Sequence, residues 1–318
     1  MRILIILDPL QQIATYKDST FSMMVEADRR GHEVFVCEQR ELSLASGRTV
    51  AHARRLHLVD PTGKVEPWYR LEAAANEPVS AFDATLMRKD PPFDMEYVYS
   101  TYLLEHAVRD GARVFNDPTA IRGHNEKLAI AEFPQYSAPM LVTRSAQALR
   151  EFVNEHEVAV FKLLDGMGGT SIFRAERGDP NLSVIIETLN EFGARSVMAQ
   201  RFLPEISEGD KRVLLIGGKV VPYSLARIPK DGEFRGNLAA GGRGVARELS
   251  ATDLATGEAI AGALAPRGLL LVGLDLIGDF ITEINVTSPT CFVEIRDQTG
   301  FDVPAMFVDA LEEAVAAS

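Results

Sequence analysis

Three oxygen-bearing side chains near the end of the chain could together hold a metal ion. Asp275, Glu283 and Asn285 lie within residues 272–290, where two apolar stretches flank a Gly-Asp dipeptide that is typical of a hairpin turn. Glu283 and Asn285 are two residues apart and therefore project from the same face of their strand. Two carboxylates and one amide oxygen are hard ligands, which suit Mg²⁺ better than zinc.

The register of this hairpin decides whether the three side chains can share a metal ion. A two-residue turn would place Asp275 opposite Thr282 and turn Glu283 to the other face. A shared ion therefore requires a three-residue loop or a bulge near Phe280, and bulges recur beside active sites. An ordinary hairpin with its acids on a solvated face is the alternative. The apolar residues that alternate with the three polar side chains favour a site.

A glycine-rich segment directly follows a predicted strand over residues 158–162, which ends in Lys162. The segment contains Gly166, Met167, Gly168 and Gly169. Glycine lets the backbone approach a ligand closely and turn its N–H groups inward, as in phosphate-binding loops. The spacing does not match a P-loop, because the lysine precedes the glycines. The pattern predicts a glycine-rich hairpin lid, and a plain hairpin turn is the alternative.

The next predicted strand leads into a short segment that could contact an adenine ring. Gln200, Phe202 and Leu203 follow its buried part, and Pro204 closes the segment. Backbone edges and an aromatic ring at such a position suit a planar base. The end of an apolar strand would explain the same pattern equally well.

Several arginines in the second half of the chain could hold an anion. Arg212 opens a predicted hairpin, and Arg227 lies near the end of its return strand. Arg235 and Arg243 lie in residues 230–244, a stretch with five glycines that is predicted to be mobile. A linker would explain the glycines alone. Arginines within such a loop fit better a lid that closes on an anion.

The chain opens with a β–α–β pattern. An apolar strand over residues 2–7 precedes a helix that Asp18 can cap and that ends at Arg30, and a second strand follows. This pattern predicts a doubly wound first domain, although no Gly-x-Gly-x-x-Gly turn supports a dinucleotide fold. Arg88 directly follows a later strand of this domain, where open α/β sheets bind ligands. A surface ion pair is the alternative for Arg88.

Composition limits the classes of protein and partner. The 318 residues are 46% apolar and 25% charged, which is typical of a globular protein, and the net charge of −12 argues against nonspecific nucleic-acid binding. No apolar run reaches the roughly 18 residues of a membrane span. Asp8 follows the first apolar run too closely for a signal peptide, so we expect a cytoplasmic protein. Two cysteines are too few for a disulfide framework, and no pair of histidines has the i, i+4 spacing of metal ligands.

Five runs of residues together resemble the bacterial glutathione synthetase family of the ATP-grasp superfamily, and the likeness covers nearly the whole chain. The runs are residues 87–94 (MRKDPPFD), 125–128 (NEKL), 164–169 (LDGMGG), 235–244 (RGNLAAGGRG) and 282–290 (TEINVTSPT). The chain departs from the family pattern at Leu163, where a proline is usual, and at Arg201-Phe202, where Asn-Tyr is commoner. Both departures lie near the expected nucleotide pocket.

The resemblance implies an α/β fold with a doubly wound pre-ATP-grasp domain over residues 1–122. An ATP-grasp domain over residues 123–318 would follow, with a mobile glycine-rich lid loop at 230–244. The implied activity is the ATP- and Mg²⁺-dependent ligation of γ-glutamylcysteine to glycine through an acyl phosphate, with Mn²⁺ a possible substitute for Mg²⁺. The resemblance also implies a homotetramer. No nucleic-acid or membrane partner is expected.

The resemblance also implies roles for individual residues. Lys127 and Lys162 would hold the nucleotide phosphates, the glycine-rich segment would cover them, and Gln200, Phe202 and Leu203 would contact the nucleotide. The catalytic arginines would be Arg212, Arg227 and Arg235. Arg212 and Arg227 would stabilise the negative charge of the acyl phosphate, and the loop that contains Arg235 would exclude water from it. Arg88 and the turn Ser288-Pro289-Thr290 would anchor the peptide substrate. Asp275, Glu283 and Asn285 would carry the metal ion.

Two other functions stay open at this point. One is an ATP-grasp carboxylate–amine ligase with a different acceptor. The other is a nucleotide-binding regulator without turnover, although mere binding would not require the full set of lysines, arginines and metal ligands.

Overall fold

The computed structural model describes residues 1–230, 232–233, 235–236 and 241–317. The strands are β1 (Arg2–Leu7), β2 (Glu33–Glu38), β3 (Leu42–Ala45), β4 (Arg48–Leu58), β5 (Tyr69–Leu71), β6 (Ala75–Pro78), β7 (Ala84–Met87), β8 (Val114–Phe115), β9 (Met140–Thr143), β10 (Val158–Leu163), β11 (Phe173–Glu176), β12 (Val197–Arg201), β13 (Asp210–Ile216), β14 (Lys219–Ile228), β15 (Arg243–Glu248), β16 (Leu271–Ile277) and β17 (Phe280–Asn285). The helices are α1 (Ser19–Arg29), α2 (Met95–Arg109), α3 (Pro118–Gly123), α4 (Ala146–His156), α5 (Leu182–Asn190), α6 (Ala251–Leu264), α7 (Phe292–Thr299) and α8 (Val303–Ala316). No helix in the described ranges is long and apolar enough to cross a membrane.

The N-terminal sheet has the order β3-β4-β2-β1-β7-β8, with β5 and β6 also paired to β4. Its centre is parallel, because β1 pairs in parallel with β2 and β7, and β7 pairs in parallel with β8. Side chains of β1 alternate between two cores: Ile3 and Ile5 face the α1 side, whereas Leu4 and Ile6 face α2. Helices therefore cover both faces, which confirms the predicted doubly wound architecture.

A second, antiparallel sheet has the order β11-β10-β12-β9. Helices α4 and α5 pack on it through a small core that includes Leu149, Phe161 and Ile186. The Ser145 hydroxyl accepts a hydrogen bond from the backbone N–H of Ala148 and caps α4, as the sequence predicts for a helix that begins near this serine.

A third sheet, β15-β14-β13-β16-β17, is antiparallel throughout. Helix α6 covers one face. On the other face, Leu214 and Ile216 belong to a core that also contains Phe292 and Phe307 of α7 and α8 and Ile5 of the N-terminal sheet. The first and third sheets thus share one hydrophobic core, and the second sheet lies beside them.

Three elements differ from the expectation. The predicted helix start at residues 125–129 is a short 3-10 helix, Leu128–Glu132, after Asn125, whose side chain accepts a hydrogen bond from the N–H of Leu128. Helix α7 was not predicted, because it is only eight residues long and follows the Ser-Pro-Thr turn directly. The predicted lid ends earlier than expected, since Arg243 and Gly244 already belong to β15. The predicted mobility of residues 231, 234 and 237–240 lies outside the described residues.

Candidate active site

A cleft of about 300 Å³ lies between the second and third sheets. Most of the predicted site residues line it: Lys127, Lys162, Gly166, Met167, Gly168, Gly169, Gln200, Phe202, Leu203, Arg212, Arg227, Arg235, Asp275, Glu283, Asn285, Ser288 and Thr290. Arg88 and Pro289 do not line the cleft. The chain therefore brings residues from positions 127 to 290 to a single cavity.

The hairpin of β16 and β17 has the bulge that a shared site requires. Ile277 pairs with Phe280 across a two-residue turn, and Leu276 pairs with Ile281. The register then shifts, so that Asp275 lies opposite Glu283 and Gly273 lies opposite Asn285. Thr282 is the extra residue, two positions beyond Phe280. Without this bulge Glu283 would face away from Asp275.

Asp275 is held by two arginines at the base of the cleft. Its Oδ1 accepts a hydrogen bond from Arg212 Nε at 2.5 Å, and its Oδ2 lies 3.1 Å from Arg212 Nη2 and 2.9 Å from Arg227 Nη2. Burial alone would raise the pKa of the Asp275 carboxyl, but the two guanidinium groups outweigh burial and hold that pKa below its usual range. Asp275 is therefore an anion in the folded protein.

The donor set at the hairpin fits a hard divalent cation. Asn285 donates from Nδ2 to the carbonyl of Gly273 at 3.1 Å, which leaves its amide oxygen as an acceptor. Glu283 faces the cleft opposite Asp275, and carboxylate and amide oxygens are the ligands that Mg²⁺ prefers. Within the described ranges no three Asp, Glu, His or Cys side chains group around a common metal position. The candidate site therefore rests on two carboxylates and one amide.

Two buried lysines flank Glu283. Lys127 Nζ lies 3.5 Å and Lys162 Nζ lies 4.0 Å from Glu283 Oε1, and the two residues are 6% and 7% exposed. Burial lowers the pKa of Lys162, and the nearby charge of Glu283 partly opposes this. The two ammonium groups offer hydrogen-bond donors to an anionic ligand of the cleft. The arrangement can attract phosphate groups into the cleft.

The glycine-rich segment is a hairpin between β10 and β11, as predicted. Gly168 and Gly169 have φ of +62° and +80°, in the left-handed region that favours glycine. Lys127 Nζ donates to the carbonyl of Gly166 at 2.5 Å, and Arg235 Nη1 donates to the carbonyl of Gly169 at 3.1 Å. The hairpin therefore lines the cleft and contacts two cations, Lys127 before it in the chain and Arg235 after it.

The residues predicted to contact a nucleotide base, Gln200, Phe202 and Leu203, line the cleft together with the apolar residues Val160 and Ile206. Phe202 lies under Arg174, whose guanidinium is 5.0 Å from the ring centroid, and Arg201 lies 5.5 Å from the ring of Phe280. The side-chain Nε2 of Gln200 is buried and has no hydrogen-bond partner among the described residues. The two residues that depart from the family pattern, Arg201 and Phe202, are thus packed by cation–π contacts.

Arg88 contacts the turn Ser288-Pro289-Thr290 from behind instead of lining the cleft. It is 5% exposed, its Nε donates to Thr20 Oγ1 at 3.1 Å, and its Nη2 donates to the carbonyl of Pro289 at 2.9 Å. The Ser288 hydroxyl donates back to the Arg88 carbonyl at 3.3 Å. Burial lowers the pKa of Arg88. Only Ser288 and Thr290 of the turn line the cleft.

Three carboxylates that line the cleft, Asp90, Glu126 and Asp210, were not among the predicted site residues. Asp210 accepts a hydrogen bond from Arg227 Nη2 at 2.5 Å, while its Oδ1 has no partner among the described residues. Burial raises the pKa of Asp210 to about 6, with Arg227 opposing and the charges of Asp275 and Glu283 adding to the rise. The sequence does carry a signal for Asp210, because it lies two residues before Arg212 and therefore on the same face of the strand. Glu126 carries no local signal beyond its neighbour Lys127, and Asp90 lies in the run of residues 87–94.

Family models match two parts of the chain. Residues 1–122 match the N-terminal domain of prokaryotic glutathione synthetase, and residues 126–300 match its ATP-grasp domain. A glutathione synthetase of Nitrosomonas europaea is 56% identical over 316 residues, which is 99% of both chains. One from Ralstonia nicotianae is 57% identical over 99% of this chain and 96% of its own length.

Solved structures share the fold at low sequence identity. The D-cycloserine synthetase DcsG superposes with a TM-score of 0.68 at 17% identity, over 98% of this chain and 99% of that one. The ATP-grasp ligase PsnB, complexed with a minimal precursor, Mg and ADP, gives 0.62 at 18% identity, over 99% and 98%. The likeness to PsnB agrees with the ATP-grasp domain that the family model matches. The family models and the close relatives establish that the chain belongs to the prokaryotic glutathione synthetase family.

Proposed function

We propose that the chain is an ATP- and Mg²⁺-dependent ligase that joins γ-glutamylcysteine to glycine and releases glutathione, ADP and phosphate. The observation that carries this function is the single cleft, in which phosphate-binding lysines, a glycine-rich hairpin, paired arginines and an oxygen-donor hairpin meet. A regulator that only binds nucleotide would need neither the arginine pair nor the donor hairpin. The close relatives carry the name of the same enzyme.

In the first step, a carboxylate oxygen of the cysteinyl residue attacks the γ-phosphorus of ATP, and ADP leaves. Lys127 and Lys162 hold the phosphates, and the backbone N–H groups of residues 166–169 cover them. Gln200, Phe202 and Leu203, which also line the cleft, bind the nucleotide. Bound Mg²⁺ supplies charge neutralisation at the phosphates, and Asp275, Glu283 and Asn285 are the residues that would hold it.

In the second step, the glycine amine attacks the carbonyl carbon of the acyl phosphate, the bond between that carbon and the phosphate oxygen breaks, and the departing phosphate takes up the amine proton. Arg212 and Arg227 stabilise the negative charge of the acyl phosphate. Because both are already fixed on Asp275, their guanidinium groups need little reorganisation when the phosphate arrives. Water would hydrolyse the acyl phosphate, and the loop over residues 230–244 excludes it. Arg235 of this loop contributes by contacting the glycine-rich hairpin.

The peptide substrate binds, in this proposal, against Ser288 and Thr290. Arg88 and Pro289 act one layer further out, since the Arg88 guanidinium fixes the turn through the Pro289 carbonyl. We also propose that the chain divides into a domain over residues 1–122 and a catalytic domain over residues 123–318. The family models support this division, because the first match ends at residue 122 and the second begins at residue 126.

The assay that tests the function follows ADP release by purified protein given ATP, Mg²⁺ and γ-glutamylcysteine, with and without glycine. We expect glycine-dependent ADP release with one tripeptide formed per ADP. Alanine, serine and β-alanine in place of glycine serve as controls for the acceptor. Release that is independent of any amine, or a clear preference for another acceptor, would contradict the proposal.

We further propose that the protein forms a homo-oligomer in the cytoplasm, with a tetramer as the expected state. Met95, Tyr99 and Tyr102 recur at helical spacing along α2 and are 57%, 52% and 52% exposed, an apolar stripe that a second copy could cover. Sedimentation velocity of the wild type and of a Tyr99→Lys, Tyr102→Lys variant tests the oligomer. Cell fractionation tests the location.

A further inference from the structure

Glu126 lies where the two hairpins of the cleft come together. It lies three residues after the end of α3 and directly before Lys127, and it lines the cleft. The proposed chemistry assigns it no role: it is neither a metal ligand nor a phosphate-binding cation. Its contacts nevertheless reach residues on both sides of the cavity.

On the metal side, Glu126 brackets Asn285. The Glu126 carbonyl accepts a hydrogen bond from the N–H of Ile284 at 2.8 Å. Its carboxylate Oε1 accepts three more: from the N–H groups of Val286 and Thr287 at 3.1 and 3.2 Å, and from the Thr287 hydroxyl at 2.8 Å. Glu126 therefore holds the backbone at the residue before Asn285 and at the two residues after it.

On the phosphate side, the two neighbours of Glu126 contact the glycine-rich hairpin. Asn125 Nδ2 donates to the carbonyl of Leu164 at 2.9 Å, and Lys127 Nζ donates to the carbonyl of Gly166 at 2.5 Å. Residues 125–127 thus join the hairpin that covers the phosphates to the strand end that presents Asn285. No other segment of the described chain is needed to connect these two parts.

We infer that Glu126 is a positioning residue, which sets the Asn285 amide and the turn after Thr287 relative to Lys127. Lost hydrogen bonds at Oε1 would let the strand end move, so that the metal donors and the substrate turn no longer meet the phosphates in one geometry. The inference rests on the proposed function of the cleft. It concerns geometry only, so an uncharged acceptor at the same place should largely suffice.

The test compares Glu126→Ala and Glu126→Gln with the wild type. We measure Mn²⁺ binding in the presence of ADP by electron paramagnetic resonance, KM for each substrate, kcat and the unfolding temperature. Removing a group that orients a metal ligand weakens metal binding by about tenfold or more, so we expect Glu126→Ala to raise the Mn²⁺ dissociation constant by that factor and to raise KM for the dipeptide. Glu126→Gln keeps an acceptor oxygen, so most of the wild-type Mn²⁺ affinity should remain and KM for the dipeptide should stay close to the wild-type value.

Glu41→Ala is the matched control. The Glu41 carboxylate also accepts a backbone N–H, that of Glu38, and binds Arg54, but it lies in the N-terminal sheet away from the cleft. We expect it to lower the unfolding temperature without changing Mn²⁺ affinity or KM. If Glu126→Ala unfolds, Thr287→Val removes one donor and should weaken Mn²⁺ binding in the same direction to a smaller extent.

Two results would overturn the inference. One is a Glu126→Ala protein that, like the control, loses stability but keeps its Mn²⁺ affinity and dipeptide KM; for an unfolded variant, unchanged Mn²⁺ binding in Thr287→Val counts equally. The other is a Glu126→Gln protein as defective as Glu126→Ala, which would assign the effect to charge. A wild type without glycine-dependent ADP release would contradict the proposed function instead, because the Mn²⁺–ADP comparison remains readable without turnover.

Discussion

At the scale of single residues, Asp275 has two kinds of partner. Its oxygens accept hydrogen bonds from Arg212 and Arg227, and it also faces the position where a metal ion would lie beside Glu283. A carboxylate has about four lone-pair sites and can serve both. Glu283 differs, because its lysine neighbours are 3.5 and 4.0 Å away and are not hydrogen-bonded to it. The two acids should therefore respond differently to substitution.

We predict that Asp275→Ala and Glu283→Ala both abolish ligase activity but that only Asp275→Ala strongly destabilises the fold. Asp275→Ala leaves the buried guanidinium of Arg212 without its carboxylate and leaves Arg227 with Asp210 alone, and breaking a buried ion pair in this way typically costs about 3–5 kcal/mol. Denaturant unfolding of both variants, together with glycine-dependent ADP release, checks this. Equal losses of stability, or turnover that persists in Glu283→Ala, would contradict the metal and arginine assignments.

Asp210 gives a prediction about pH. Burial raises its pKa in the folded protein to about 6, above the ordinary 3.8, so the folded state binds this proton more tightly than the unfolded state does. The contribution of this group favours folding below pH 3.8 and is lost as pH rises through 6. Asp210→Asn removes the costly charge. We therefore expect the difference in unfolding temperature, variant minus wild type, to be more positive at pH 8 than at pH 5.

Thermal unfolding of both proteins at a series of pH values between 4.5 and 8 measures this difference. Glu41→Asn, far from the cleft, controls for the general effect of removing an acid. A difference that is constant across the series, or that falls with rising pH, would show that Asp210 is ionised without cost in the folded protein.

At the scale of elements, the bulge in the hairpin of β16 and β17 is the decisive feature. Thr282 is the extra residue that returns Glu283 to the face of Asp275 after a two-residue turn. Thr282 is 6% exposed, and its hydroxyl donates to the Asp275 carbonyl at 3.3 Å, which ties the bulge to the opposite strand. A local irregularity in one strand thus decides whether Asp275, Glu283 and Asn285 share one face of the hairpin.

Helix α6 offers a matched pair of glycines for a prediction at this scale. A Cβ at Gly262, on the exposed face, would meet nothing within 4 Å, whereas a Cβ at buried Gly257 would lie 3.1 Å from both methyl groups of Val220. Alanine is favoured over glycine in a helix by about 0.5–1 kcal/mol. We expect Gly262→Ala to raise the unfolding temperature and Gly257→Ala to leave it unchanged or lower it.

Differential scanning fluorimetry of the two variants beside the wild type provides the measurement. For a chain of this length a gain of that size corresponds to a rise of about 1–2 °C. A larger gain from Gly257→Ala than from Gly262→Ala would mean that Val220 and the neighbouring sheet yield more easily than the packing suggests.

At the scale of the whole molecule, the two proposed domains share a core. Ile3 and Ile5 of the N-terminal sheet lie in one cluster with Phe292 and Phe307 near the C-terminus. Arg30, at the end of α1, forms ion pairs with Asp309 at 2.6 Å and Glu312 at 3.0 Å on α8. The C-terminal helices therefore complete the first domain as much as the second.

We predict that residues 1–122 do not fold cooperatively by themselves. Without α7 and α8, the face of the N-terminal sheet that carries Ile3 and Ile5 loses part of its cover, and the exposed apolar surface favours aggregation. Circular dichroism melts and dye binding of the fragment, with the full chain as control, check this. A sharp unfolding transition in the isolated fragment would show that the domain is independent of the C-terminal helices.

The sequence alone determined local features of this protein, namely helix caps, a strand and a turn. These features are the Asp18 cap of α1, the Ser145 cap of α4, the strand that contains Lys162, which extends one residue further than predicted, and the two-residue turn between β16 and β17. Each depends on residues within a few positions of one another. The family resemblance added the residue types of the cleft, most of which do line one cavity.

Only the tertiary structure decided how residues distant in the chain meet. Arg212 and Asp275 are 63 positions apart and come together because β13 pairs with β16. Glu126 reaches Thr287, and Arg88 lies behind the turn instead of in the cleft, through contacts over more than 150 positions. Such partners depend on strand order, on the bulge at Thr282 and on burial. No local pattern encodes these, because each arises from the packing of all three sheets at once.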